Sequence, residues 1–199
     1  MKTNSVDDNR GLRRLGGNLA AYLYRLKITH ENSYRLIEQT VRQVAPFFEG
    51  FRLEPLALNP NTIKLEWLHK NSEGYWDASS LSDGSLRFIA LATLFLQPVE
   101  LRPDVILIDE PELGLHPVAV TLLASLIRQA SVDTQVIVAT QSPRLVDYFD
   151  PEDILVANRI HGATTIERLA SEPLTEWLDE YSLGELWEKN EFAGRPMRE

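Results

Sequence analysis

The chain has 199 residues, with 20 Lys and Arg against 29 Asp and Glu, a formal net charge of −9 and an isoelectric point near 5.0. Hydrophobic residues make up 44% and charged residues 25%, which fits a core-forming globular protein and excludes disordered, collagen-like and coiled-coil classes. The absence of cysteine removes disulfide scaffolds, thiol catalysis and thiolate metal sites, and the acidic balance argues against coating nucleic acid by bulk charge.

Met1–Arg14 is polar and turn-rich, carries Arg10, Arg13 and Arg14, and is expected to fray. Leu19–Ile28 (LAAYLYRLKI) reads as a helix of good formers. Asn32 or Ser33 is expected to cap a second helix, along which Tyr34, Ile37, Val41 and Val44 recur at three- and four-residue steps until Pro46. Residues 51–80 switch to period two: Ile63, Leu65 and Trp67 alternate with polar neighbours, and Asn71–Gly74 supplies a turn. This predicts a small antiparallel meander with strands near 51–57, 62–69 and 75–77.

Further on, Gly84–Leu96 reads as a helix stopped by Pro98. Val105–Ile108 is a continuous apolar run, the pattern of a parallel strand buried on both faces. Pro117–Gln129 is a helix with Pro in its first turn, Gln135–Thr140 a second buried strand, Pro143–Phe149 a short helix and Ile154–Val156 a third strand. Ile160–Leu169 forms an edge hairpin around Gly162. The β-α-β-α-β order predicts an α/β fold with a parallel sheet. The tail from Pro173 holds Trp177, Leu178, Tyr181, Leu183, Leu186 and Trp187, enough apolar surface to dock. The longest apolar run, Phe88–Leu96, is far short of the roughly 18–20 residues that a membrane span needs, and no export signal opens the chain. A cytoplasmic protein with no membrane contact is expected.

Three segments carry chemical potential. Asp109 and Glu110 end a buried strand, which puts two carboxylates at the carboxyl edge of a parallel sheet, where open α/β folds bind ligands; a strand leaving the core into a polar loop would look alike. Ser82, Asp83, Gly84 and Ser85 open a helix, so free backbone N–H groups could receive an anion, but the same residues make an ordinary cap. Thr140-Gln141-Ser142 places an amide after the next strand. The histidines His30, His69, His116 and His161 lack metal-ligand spacing, and no G-x-S-x-G is present.

Taken in order, LSDGSLR, VILIDEPELGLHP and ATQSPRLVDYF resemble the RecF/SMC-like ATPases of the ABC type, a group of AAA-type P-loop ATPases, from about Phe47 onward. Leu81–Arg87 is similar to their signature loop, Val105–Glu110 to their Walker B strand, Glu112–Pro117 to their D-loop and Thr140–Ser142 to their switch segment, where many relatives have His. The resemblance implies ATP hydrolysis with Mg²⁺ and ATP-driven dimerisation in DNA repair or phage defence. It makes Asp109 the Mg²⁺ anchor, Glu110 the base or water-orienting group and Gln141 the sensor of the γ-phosphate. Ser82, Asp83, Gly84, Ser85 and His116 would then meet nucleotide across a subunit interface.

The departure from that pattern is the missing GxxxxGK[ST] loop, which wraps the phosphates with amides and a Lys. No Gly-Lys dipeptide occurs, and Gly11–Asn18 lacks both the Lys and the Ser/Thr. The expected organisation is therefore a helical segment over 1–50 followed by a C-terminal ABC-ATPase lobe over 51–199, truncated or naturally split and inactive by itself. Its partner would be a second copy or a P-loop-bearing chain, with DNA as a further partner. The alternative is a non-enzymatic half-ATPase or a nucleic-acid-binding module that completes another subunit's site.

Overall fold

The computed structural model describes residues 3–6, 9–160, 162–170 and 174–191. His161, Pro173 and 192–199 of the tail thus lie outside the described residues. The chain forms two compact units, residues 1–138 and 139–199.

The first unit begins with strand β1 (Thr3–Ser5), then helices α1 (Leu19–Thr29) and α2 (Glu31–Val44). Fraying was expected over this first stretch, yet β1 pairs with β4 (Asn59–Lys64). Two asparagines account for the difference. The Asn4 side chain accepts from the Ala20 N–H and donates to the Gly17 carbonyl. Buried Asn18 donates to the Asn9 side chain and the Gly11 carbonyl and accepts from the Arg13 N–H. Such side-chain bonds replace a backbone ladder where the chain is irregular. Helix α2 starts earlier than expected, with His30 at its cap position and no capping side chain.

Between α2 and the next helix lie β2 (Phe48–Arg52), β3 (Pro55–Leu56), β4, β5 (Glu66–His69) and β6 (Tyr75–Asp77). They form two antiparallel sheets, β1-β4-β3 and β2-β5-β6, in place of the single meander expected. The break falls at Leu65, whose side chain is buried between the end of one strand and the start of the other. Helix α3 (Asp83–Leu96) follows, then β7 (Val105–Asp109), α4 (Pro117–Ala130) and β8 (Gln135–Ala139). Helices α2 and α3 pack together, as do α3 and α4. Leu19, Tyr22, Leu23, Leu26, Ile37, Phe48, Ile63, Phe88 and Phe95 are fully buried in this unit, each contributing roughly 1.5–3 kcal/mol of burial. The sequence boundary at residue 50 falls within this unit, where α2 packs on β2.

Strands β7 and β8 are neighbours in a parallel pair, as the α/β reading requires. Burial on both faces is not found. Ile106 is 3% exposed, whereas Val105 is 50%, Leu107 74% and Ile137 43% exposed. One face of the pair is covered and the other is open. An all-apolar strand says that both faces can be buried; it does not supply the layer that buries the second.

In the second unit, α5 (Pro143–Val146) is shorter than expected. The anticipated third parallel strand is instead β9 (Leu155–Ile160), paired antiparallel with β10 (Ala163–Arg168) in a hairpin that turns at Gly162. Helices α6 (Thr175–Leu178) and α7 (Leu183–Glu188) dock the tail: Val146, Leu174, Leu183 and Leu186 form a buried cluster backed by Ile154, Leu169, Leu178 and Tyr181. Among the described residues no helix is long and apolar enough to cross a membrane.

Candidate functional site

The site grows from the first turn of α3. Ser82 is extended at the cap position, and its Oγ accepts from the Ser85 N–H at 3.1 Å and lies 2.9 Å from the Ser85 Oγ. The capping role is thus realised. Both Ser82 and Asp83 are exposed to solvent at this helix end, where the unsatisfied N–H groups concentrate partial positive charge.

With Ser82, Asp83 and Ser85, Gly84 was expected to open a helix end that receives an anion. What it admits in the structure is protein backbone: a Cβ at this position would lie 2.2 Å from the Gly114 carbonyl oxygen and 3.1 Å from its carbon. The start of α3 is thereby set directly against the loop between β7 and α4. Gly114 takes φ +77°, a conformation open to glycine. The loop is a run of tight turns, with the Leu113 N–H donating to the Glu110 carbonyl at 3.2 Å and the Leu115 N–H to the Glu112 carbonyl at 2.9 Å. It ends at exposed His116, whose Nδ1 accepts from the Val118 N–H at 3.3 Å and so caps α4 ahead of Pro117.

Asp109 is the last residue of β7 and is exposed. Glu110, half-buried, has φ +43°. A non-glycine residue in the left-handed region costs about 1–3 kcal/mol and persists only where neighbours hold it. Two neighbours do: the Glu110 carbonyl accepts from the Arg87 Nη1 at 3.0 Å as well as from Leu113. Arg87 belongs to the same α3 start as Ser82 and Gly84, so a single helical turn touches the 110–116 loop at two points. Sequence reasoning gave Arg87 no role. Its signal was its place as the last residue of the signature-like LSDGSLR segment, one turn inside the helix.

The structure therefore brings Ser82, Asp83, Gly84 and Ser85 together with Glu110 and the loop leading to His116, while Asp109 stands beside Glu110. Gln141 belongs to the second unit, is exposed, and precedes Ser142, whose Oγ caps α5 by accepting from the Leu145 N–H at 3.3 Å. No group of three or more His, Cys, Asp or Glu is placed to hold a metal among the described residues. Mg²⁺ is commonly bound through one or two carboxylates plus water and substrate phosphate oxygens. The exposed Asp109 carboxylate supplies such a hard oxygen donor.

Residues 4–147 match the model of a family described as "AAA domain, putative AbiEii toxin, Type IV TA system". No curated protein matches the chain. Among solved structures, one from work on the ATP-driven dimerization and DNA-stimulated activation of SMC ATPases is 22% identical, with a TM-score of 0.56, and the match covers 79% of this chain and 96% of that one. An Smc head bound to the C-terminal winged-helix domain of ScpA is 21% identical at a TM-score of 0.61, covering 86% of this chain and 50% of that one. A Pyrococcus furiosus Smc head with an extended coiled coil, bound to the C-terminal domain of ScpA, is 22% identical at 0.57, covering 79% and 39%. At these identities the likeness establishes the fold, that of P-loop nucleoside triphosphatases.

Proposed function

Because the chain belongs to this AAA-domain family of P-loop ATPases, we propose that it forms the signature and Walker B half of an ATP-hydrolysing site. The observation that carries this reading is the strained Glu110 backbone, held at φ +43° directly after the strand-end Asp109 and against the start of α3. Strain of that kind, held by surrounding structure, clusters at active sites, ligand clamps and switch regions.

In this reading Asp109 would hold Mg²⁺, which would supply charge neutralisation to the phosphates. The Glu110 carboxylate orients the attacking water and takes its proton as ATP and water become ADP and phosphate. The Ser82 hydroxyl and the α3 amides, with Asp83, Gly84 and Ser85, meet a γ-phosphate held by another subunit. The Ser82 oxygen accepts from the Ser85 N–H, and the Ser82 and Ser85 hydroxyls share one hydrogen bond in which either can donate, so the pair keeps one hydroxyl hydrogen for a phosphate oxygen. His116 lines the same interface from the end of the loop, and Gln141 is assigned the sensing of the γ-phosphate. ATP-driven dimerisation follows from a γ-phosphate shared between two copies. DNA repair or phage defence in the cytoplasm is the setting we assign, with DNA as a further partner.

The 199 residues contain no Gly-Lys dipeptide, and an aspartate cannot replace a Lys and an amide cradle in gripping β- and γ-phosphates. A P-loop-bearing α/β segment, in a longer form of this polypeptide or in a separate chain, completes the site. The open β7–β8 face supports this. Parallel sheets are covered on both sides, and Val105, Leu107 and Ile137 present apolar surface with nothing of the first unit over it.

The test is ATP turnover by the chain alone and in the presence of its P-loop-bearing segment. Turnover is expected only in the second case, lost with Glu110→Gln and with Leu107→Asp, the latter leaving the isolated chain's melting unchanged. Turnover by the chain alone that disappears in Glu110→Gln would overturn the half-site.

A further inference from the structure

We propose that Arg87 is a positioning residue for Glu110, fixing the backbone from which the candidate water-orienting carboxylate projects. The inference rests on the ATPase reading for its consequence, but its physical content lies in the first unit alone.

The Glu110 carbonyl oxygen is the meeting point of two elements. One lone pair receives the Leu113 N–H at 3.2 Å, closing the turn that leads toward Gly114; the other receives the Arg87 guanidinium at 3.0 Å, across 23 residues of sequence. A turn N–H is a local bond and moves with its own loop. The guanidinium is anchored elsewhere, on α3, whose buried Phe88, Ile89, Leu91 and Ala92 hold it in the core. A charged donor also makes a stronger bond to a carbonyl than a neutral amide does. Arg87 is thus the tie that prevents Glu110 from relaxing out of φ +43°.

The same turn of helix presses Gly84 against Gly114, so the loop is gripped at both ends of the Glu110–Gly114 stretch. A ligand that engages Ser82 engages the helix turn that carries Arg87. The geometry therefore links the candidate anion-binding end of α3 to the Glu110 backbone without any movement of the sheet.

The experiment uses Arg87→Met, which keeps the apolar stem but cannot donate, and Arg87→Lys, which can still donate to the carbonyl. Amide hydrogen exchange of the chain alone is measured first. Exchange at Leu113 and Leu115 should rise at least tenfold in Arg87→Met, with α1 and α2 amides and the melting temperature unchanged, and Arg87→Lys should restore most of the protection. In the assembly with a P-loop-bearing segment, Arg87→Met should lower kcat for ATP at unchanged KM. Unaltered Leu113 exchange in Arg87→Met would overturn the proposal, as would a uniform rise across all helices, which marks a merely stabilising contact. If the wild-type assembly shows no turnover, the ATPase reading fails, while the exchange result still decides the role of Arg87.

Discussion

Gly84 and Gly114 meet backbone to backbone: the space where a side chain at Gly84 would begin is occupied by the Gly114 carbonyl oxygen, 2.2 Å from an ideal Cβ. Backbone cannot swing aside as the end of a flexible side chain can, so Gly84→Ala forces α3 and the 110–116 loop apart. Overpacking of this kind costs about 1–3 kcal/mol, and in a chain of this size each kcal/mol lowers Tm by about 2–4 °C. Gly11→Ala is the control, since nothing lies within 4 Å of its Cβ. Thermal melting should separate the two variants; equal Tm values would mean that the contact is slack.

Ser82 has two separable roles. Ser82→Ala removes the cap on the Ser85 N–H and should cost about 1 kcal/mol of stability. Ser82→Arg should cost no more than that, because the residue is exposed, yet it should abolish turnover of the assembled site by filling the place of a phosphate. Melting and turnover of both variants, measured side by side, distinguish a cap from a ligand contact. Normal turnover in Ser82→Arg would leave only the cap.

At Glu110 function and stability are expected to pull in opposite directions. Asn tolerates the left-handed region better than Glu does, so Glu110→Asn should melt at or slightly above the wild-type temperature while losing turnover by roughly 100-fold or more. Asp109→Asn should lose turnover by weakening Mg²⁺ retention, and raising the Mg²⁺ concentration should recover part of it. A stable, fully active Glu110→Asn variant would exclude the carboxylate from catalysis.

Away from the site, the Lys64 Nζ lies 2.8 Å from the Asp77 carboxylate, joining β4 to the end of β6. The hydrogen bond from Lys64, followed by those from the Ser79 N–H and hydroxyl, holds the Asp77 carboxyl well below the usual carboxylate range. The folded state thus binds its proton less readily than the unfolded chain. The resulting stabilisation is complete above the unfolded value, near pH 4, and is lost as pH falls through and below it. Asp77→Asn should flatten the pH dependence of Tm below pH 4 and leave that above pH 6 unaltered. Identical acid limbs in the two proteins would show that the pair contributes nothing.

Much of the architecture was legible without coordinates, and the reason is local. Helix α1, α3 and β7 begin and end within one residue of where periodicity and Pro98 put them, and the hairpin turns at Gly162 as expected. Each of these depends on neighbours a few positions apart: a repeat of three to four, an alternation of two, or a residue that permits positive φ. The end of β7 in two carboxylates was equally readable from VILIDE.

What the sequence could not carry is which distant groups close on one another. The roles of Gly84 as a point of backbone contact and of Arg87 as donor to Glu110 depend on α3 lying against a loop far along the chain. The same holds for Leu65 dividing one expected meander into two sheets, and for Leu107 standing open where its composition matches a buried strand. Apolar residues record that burial is favourable, while the layer that provides it is set by tertiary packing. Local conformation is decided by sterics and capping within a turn; contacts across the fold are decided only when chain closure brings two surfaces together and one arrangement satisfies both.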